Sequence, residues 1–115
     1  MKKKILFALL FICLALPGIA CAHPPKDIDI SYDPATKILT AFIIHDTSNP
    51  RGHYIKKVDI GLNDQEIIQQ TISRQDNNSS QKVSYFIPDA KPGDRLSVEG
   101  YCSISGKLEK EITVK

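Results

Sequence analysis

The chain has 115 residues, of which 42% are hydrophobic and 24% are charged, and its formal net charge is +2. Three of its 15 basic residues stand together at positions 2–4, and without them 12 basic residues face 13 acidic ones. A nearly neutral balance without a basic cluster argues against a nucleic-acid partner and against binding to an anionic membrane surface.

The first 22 residues have the features of a secretory signal. Lys2, Lys3 and Lys4 precede an apolar run at 5–16 that is too short to span a bilayer comfortably, and the small residues at 20–22 resemble a cleavage site. We therefore predict a cleaved signal peptide at 1–22, one small domain at 23–115, and a periplasmic or secreted protein. Alternatively, Cys21 is a lipoprotein cysteine, and only then do we expect a membrane contact.

Cysteine usage narrows the possibilities further. Cys102 is the only cysteine that remains after residue 22. A small exported domain often relies on paired cysteines, and this one cannot form an internal disulfide. The thiol is therefore buried, paired with another chain, or bound to a ligand.

From residue 27 onward, apolar and polar residues alternate with the period of a β-strand, and Pro, Gly, Asn and Asp separate the alternating runs. We predict an all-β, immunoglobulin-like antiparallel β-sandwich of about seven strands. The predicted strands cover 27–32, 37–45, 54–62, 65–72, 82–87, 95–104 and 107–114. Ser105-Gly106 is predicted to form a two-residue hairpin turn, and the polar segment 73–81 is predicted to be a mobile loop.

The directions of these strands place the chemically reactive side chains together. If successive strands alternate in direction, His45 ends one strand and His53 opens the next at the same end of the sandwich. By the same count His23 and Cys102 also fall at that end. A solvated histidine at a loop edge and a buried cysteine are the ordinary explanations for each residue alone. Taken together, imidazoles and a thiolate suit iron, copper or zinc rather than magnesium or calcium.

His45, the strand opening His53-Tyr54-Ile55, and the run 101–106 (YCSISG) resemble the iron-binding domain of desulfoferrodoxin and superoxide reductase. The resemblance covers nearly all of 23–115. It implies an immunoglobulin-like sandwich with an iron site of imidazole ligands and one axial cysteine thiolate. It also implies reduction of superoxide to hydrogen peroxide at an open position of the iron, with electrons from an unidentified donor.

Carried over by position, the resemblance implies that His23, His45, His53 and Cys102 are the metal ligands. Iron is the metal expected first, with copper or zinc as alternatives. Ser105 stands where the family has a further histidine, and the family's catalytic lysine would fall within the predicted signal peptide. The sequence therefore assigns no catalytic residue, and enzymatic activity is left open.

Two other functions fit the same residues. Cleavage before His23 would free its α-amino group, which with the imidazoles of His23 and either His45 or His53 could form a copper-binding histidine brace in a periplasmic carrier. Alternatively, the domain is a non-catalytic interaction module whose metal site has decayed, and Ser105 is the residue that favours this interpretation.

Overall fold

The computed structural model describes residues 23–115. The predicted signal peptide and the cysteine at position 21 lie outside the described residues. Among the described residues, no helix is long and apolar enough to cross a membrane. The strands are β1 (Asp27–Asp33), β2 (Ile38–Ile44), β3 (Ile55–Leu62), β4 (Gln65–Thr71), β5 (Ser80–Phe86), β6 (Arg95–Cys102) and β7 (Lys107–Thr113).

The seven strands form two antiparallel sheets. One sheet has the strand order β1-β2-β5 and the other has the order β4-β3-β6-β7. This is the strand order of an immunoglobulin-like sandwich in which the fourth strand joins the sheet that contains the third, sixth and seventh. The prediction of an all-β sandwich of about seven strands is confirmed.

The core lies between the sheets and follows from the alternation in the sequence. Successive side chains of a strand point to opposite faces, so every second residue of β2 and β6 is buried. In β3 an irregularity between Ile55 and Lys57 shifts this alternation. Burial against the facing sheet stabilises such a domain by roughly 25 cal/mol for each Å² of apolar surface removed from water. The core side chains with no exposed surface are Leu39, Ala41, Ile43, Ile55, Val58, Ile60, Leu96 and Val98.

The turn between β3 and β4 is the one the sequence predicts. Asn63 and Asp64 occupy it with φ angles of 51° and 70°. Two consecutive residues with positive φ match the twist of a hairpin, and Asn and Asp tolerate that conformation better than most residues.

Several predicted boundaries differ from the structure by one or two residues, and two of these differences matter here. β5 begins at Ser80 rather than at residue 82, because Ser80 pairs with Ile44 of β2. The β6–β7 hairpin has a loop of four residues, 103–106, rather than a two-residue turn at Ser105-Gly106. The amide of Cys102 closes this loop by donating to the carbonyl oxygen of Gly106 at 2.9 Å.

Candidate metal centre

His45 is held in the interior by the register of β2. Leu39, Ala41 and Ile43 point into the core, and the same alternation turns His45 inward, where none of its surface is exposed. The amide of His45 donates to the carbonyl oxygen of Ser79 at 3.0 Å, which fixes the backbone one residue beyond the end of β2.

His53 lies two residues before Ile55, the first residue of β3, and is half-buried. Its amide donates to the carbonyl oxygen of Asn49 at 2.8 Å, so the chain turns tightly just before the strand. The next amide, that of Tyr54, donates to Oγ of Ser103 in the β6–β7 loop at 3.1 Å. These hydrogen bonds fix the backbone at His53 and therefore the position of its Cβ atom.

His23 comes from the segment before β1, and two contacts hold that segment against the sandwich. The amide of Lys26 donates to the carbonyl oxygen of Ile44 at 2.7 Å. Pro24 packs on Gly106, where a Cβ atom would lie only 2.9 Å from the Cβ of Pro24. The absence of a side chain at position 106 therefore lets the segment that carries His23 approach the hairpin.

The three histidines converge at one end of the sandwich. Their potential ligand atoms all lie within 4.8 Å of one another. The ring centroids are 5.0 Å apart for His23 and His45, 5.1 Å for His23 and His53, and 4.7 Å for His45 and His53. Strand direction predicts only that these three side chains lie at the same end of the sandwich. The structure shows that they also lie close to one another.

Cys102 lies at the same end of the sandwich but is not a member of this group. It is the last residue of β6, it pairs with Ile55 of β3, and it is 3% exposed. Its Sγ atom accepts a hydrogen bond from the amide of Ile104 at 3.5 Å. The cluster of ligand atoms found among residues 23–115 contains the three imidazoles and no thiol.

Gln75, which sequence analysis did not single out, contacts the cluster directly. Its side chain is 1% exposed, and its Oε1 atom lies 2.8 Å from Nδ1 of His45. Gln75 belongs to the polar segment that was predicted to be mobile, yet its amide donates to the carbonyl oxygen of Pro50 at 2.9 Å. A glutamine among Ser, Asp and Asn residues gives no sequence signal that it is buried.

Electrostatics favours the neutral form of His53. Burial lowers the pKa of His53 below its ordinary value of 6.5, and the neighbouring His45 and His23 lower it further. A neutral imidazole has a lone pair available for a metal, whereas an imidazolium has none. At neutral pH the lowered pKa therefore keeps His53 in the form that binds a metal.

The cluster contains one buried ring nitrogen that a metal ion would satisfy. Nε2 of His53 is buried and has no hydrogen-bond partner. Leaving such a buried polar atom unpaired costs about 1–3 kcal/mol. Metal–imidazole bonds of about 2.1 Å place two ligand nitrogens at most about 4.2 Å apart. The 4.8 Å spread of the cluster is slightly wider than that separation, so binding of an ion would draw the ring nitrogens closer together.

Solvent reaches the cluster from one side. His23 and His53 line an open depression of about 450 Å³, together with Asp46, Thr47 and Asn78. The ion pair and hydrogen bond with Lys26 lower the pKa of Asp46, so its carboxylate is charged at the rim of the site. A metal held by the imidazoles would be accessible to a small molecule from this depression.

Comparisons with protein-family models, with curated proteins and with solved structures find no match for this chain.

Proposed function

We propose that this protein is an exported metal-binding protein that holds one first-row transition-metal ion between His23, His45 and His53. The observation that carries the proposal is the convergence of three imidazoles from three separate chain segments, with ligand atoms within 4.8 Å of one another. Imidazole ligands suit iron, copper, nickel and zinc, whereas magnesium and calcium prefer oxygen.

The competing interpretation is a purely structural cluster, in which His45 is a buried hydrogen-bonding residue. The hydrogen bonds of His45 to Gln75 are compatible with either interpretation. A structural role does not explain the unpaired Nε2 of His53. Burying the His53 ring beside His45 costs desolvation free energy, and Nε2 of His53 gains no hydrogen bond in return. A metal ion would give the lone pair of that atom a partner.

Iron is the metal that we propose first, on the basis of the resemblance to superoxide reductase. Bound iron would supply one-electron reduction of a small oxidant such as superoxide. The three imidazoles of the chain would hold the ion beside the open depression, from which that molecule would approach. Cys102 is a proposed ligand only through the resemblance, because its sulfur is outside the cluster.

Elemental analysis tests the proposal most directly. The full chain is exported by its own leader and purified without chelator, and we expect about one equivalent of transition metal. Iron would support the superoxide-reductase-like function, and copper would favour a carrier that uses the amino group of His23. After removal of the metal, titration with Fe²⁺, Cu²⁺ and Zn²⁺ gives the relative affinities.

Variants separate the site from adventitious binding. His53→Ala removes one imidazole and is expected to weaken binding of the preferred metal at least tenfold. Ser48→Ala, which alters an exposed residue of the same depression without removing a ligand, is the matched control and is expected to bind normally. A wild-type protein that is isolated without metal and takes up none on titration would refute the proposed function.

A further inference from the structure

The side chain of Gln75 makes three hydrogen bonds with the backbone and the ring beside the histidine cluster. Its Nε2 atom donates to the carbonyl oxygen of His45 at 2.7 Å and to that of Asn77 at 2.9 Å. Its Oε1 atom lies 2.8 Å from Nδ1 of His45. Both Gln75 and His45 are essentially inaccessible to water, so solvent does not compete for these bonds.

These bonds fix the orientation of the amide group. Carbonyl oxygens accept and cannot donate, so the side-chain group that faces the two carbonyls must be the NH₂ group. Oε1 is then the atom that faces the imidazole. Because this oxygen can only accept, Nδ1 of His45 must carry the hydrogen.

We propose that Gln75 is a positioning residue that holds His45 in the Nδ1–H tautomer and thereby makes Nε2 the metal-binding atom. This inference rests on the proposed function, because it assigns a role to Gln75 at the same three-histidine site. A hydrogen bond from the second ring nitrogen orients many metal-binding imidazoles, and loss of such a partner typically weakens metal binding about 10- to 100-fold.

The other ring nitrogen of His45 also faces an acceptor, so two contacts compete for the single hydrogen of the neutral ring. Nε2 of His45 lies 3.3 Å from the carbonyl oxygen of His23. With the hydrogen on Nδ1, a lone pair faces this carbonyl oxygen, and the cost is smaller than it would be at Gln75 because the contact is longer. The opposite tautomer would instead set two acceptors against each other at the shorter contact of 2.8 Å with Gln75.

The tautomer can be measured without any metal. Long-range ¹H–¹⁵N correlation spectra of the metal-free wild-type protein at pH 8 distinguish a protonated ring nitrogen from one with a lone pair. We expect His45 to show a hydrogen on Nδ1 and a lone pair on Nε2. A hydrogen on Nε2 would overturn the assignment, whatever metal the protein binds.

Two substitutions then separate positioning from structural support. Gln75→Leu removes the acceptor and the donors, and we expect the preferred tautomer to be lost and the metal affinity to fall about 10- to 100-fold. Gln75→Glu keeps an acceptor for Nδ1–H but loses both donors. It is expected to lower the unfolding midpoint as Leu does, yet to keep the tautomer and a metal affinity within a few fold of wild type.

Gln81→Leu is the matched control. Gln81 is a second buried glutamine of the segment 73–81. Its Nε2 atom donates to the carboxylate of Asp76 and to the carbonyl oxygen of Lys82 rather than to a group of a histidine. We expect it to lower stability without changing the tautomer of His45 or the metal affinity.

The outcomes distinguish this inference from the proposed function. If affinity falls in step with stability in all three variants, Gln75 is only a structural residue and the inference is wrong. If the wild-type spectrum shows Nδ1–H but no metal is taken up, the proposed function fails while the hydrogen-bond assignment stands. If Gln75→Leu does not fold, the wild-type spectrum and the Glu variant still decide the matter.

Discussion

Pro24 lies against Gly106 so closely that a Cβ atom at position 106 would be 2.9 Å from the proline Cβ and 3.0 Å from its backbone nitrogen. This contact joins the segment that carries His23 to the β6–β7 hairpin. Gly106 has no side chain that could bind a metal, yet its contact with Pro24 affects where the candidate ligand His23 lies.

We expect Gly106→Ala to weaken metal binding because the new methyl group would push Pro24, and with it His23, away from the cluster. The φ angle of 88° at Gly106 adds backbone strain of about 1 kcal/mol for a residue with a Cβ atom. Chemical denaturation and metal titration measure the two effects separately.

Gly93→Ala is the control for backbone strain. Gly93 has a φ angle of 93°, and a Cβ atom there would meet nothing within 4 Å. It is expected to lose about 1 kcal/mol of stability while metal affinity is unchanged. Equal metal affinities in the two variants would show that the Pro24 contact does not position His23.

The lowered pKa of His53 predicts how the metal-free protein responds to acid. Between the lowered folded-state pKa and the ordinary value of 6.5, the unfolded chain binds more protons than the folded one. The free energy of unfolding therefore falls as the pH drops through 6.5 and levels off below the folded-state pKa. Urea unfolding between pH 8 and pH 5 measures this slope.

Replacing the titrating ring tests the origin of that slope. In His53→Gln the contribution of this residue disappears, so stability should depend less on pH near 6.5 than in the wild type. A slope that is unchanged in the variant would assign the acid sensitivity to other groups.

Cys102 is where the resemblance and the structure make different predictions. As a buried residue of β6 outside the histidine cluster, it should behave as a packing residue. We expect Cys102→Ala to cost about 1–2 kcal/mol of stability and to leave metal affinity within a few fold. An affinity loss as large as that of His53→Ala would instead identify the thiolate as a ligand.

The outer face of the four-stranded sheet contains an unfavourable pair of like charges. Glu99 and Glu109 lie directly opposite each other on β6 and β7. Burial and the charge of Glu99 raise the pKa of Glu109. We expect Glu109→Lys to stabilise the protein by roughly 0.5 kcal/mol at neutral pH, because an opposite-charge pair replaces a repulsive one.

Glu111→Lys is the control, because it makes the same change in net charge two residues along β7. Glu111 lies opposite Ser97, and its carboxylate is 3.9 Å from the guanidinium of Arg95. We expect no gain in the unfolding free energy there. Equal gains at both positions would show that net charge, and not the Glu99 pair, is responsible.

Much of the fold could be predicted from the sequence because β-structure has a local signature. The alternation in β2 and β6 predicts both the strands and the faces that they bury, and Asn63-Asp64 has the residues that a tight hairpin needs. The hairpin at 103–106 was predicted less well. The closing bond from Cys102 to Gly106 depends on the loop geometry rather than on the identity of the turn residues.

The sequence by itself determined which candidate ligands are present and the end of the sandwich where each histidine falls, because side-chain alternation and strand direction are properties of the chain. Only the tertiary structure decided which of them meet. It brought His23, His45 and His53 within 4.8 Å and kept Cys102 out of that group. It also recruited Gln75 from a polar segment, because burial and hydrogen-bond partners depend on loops from distant parts of the chain that no local pattern records.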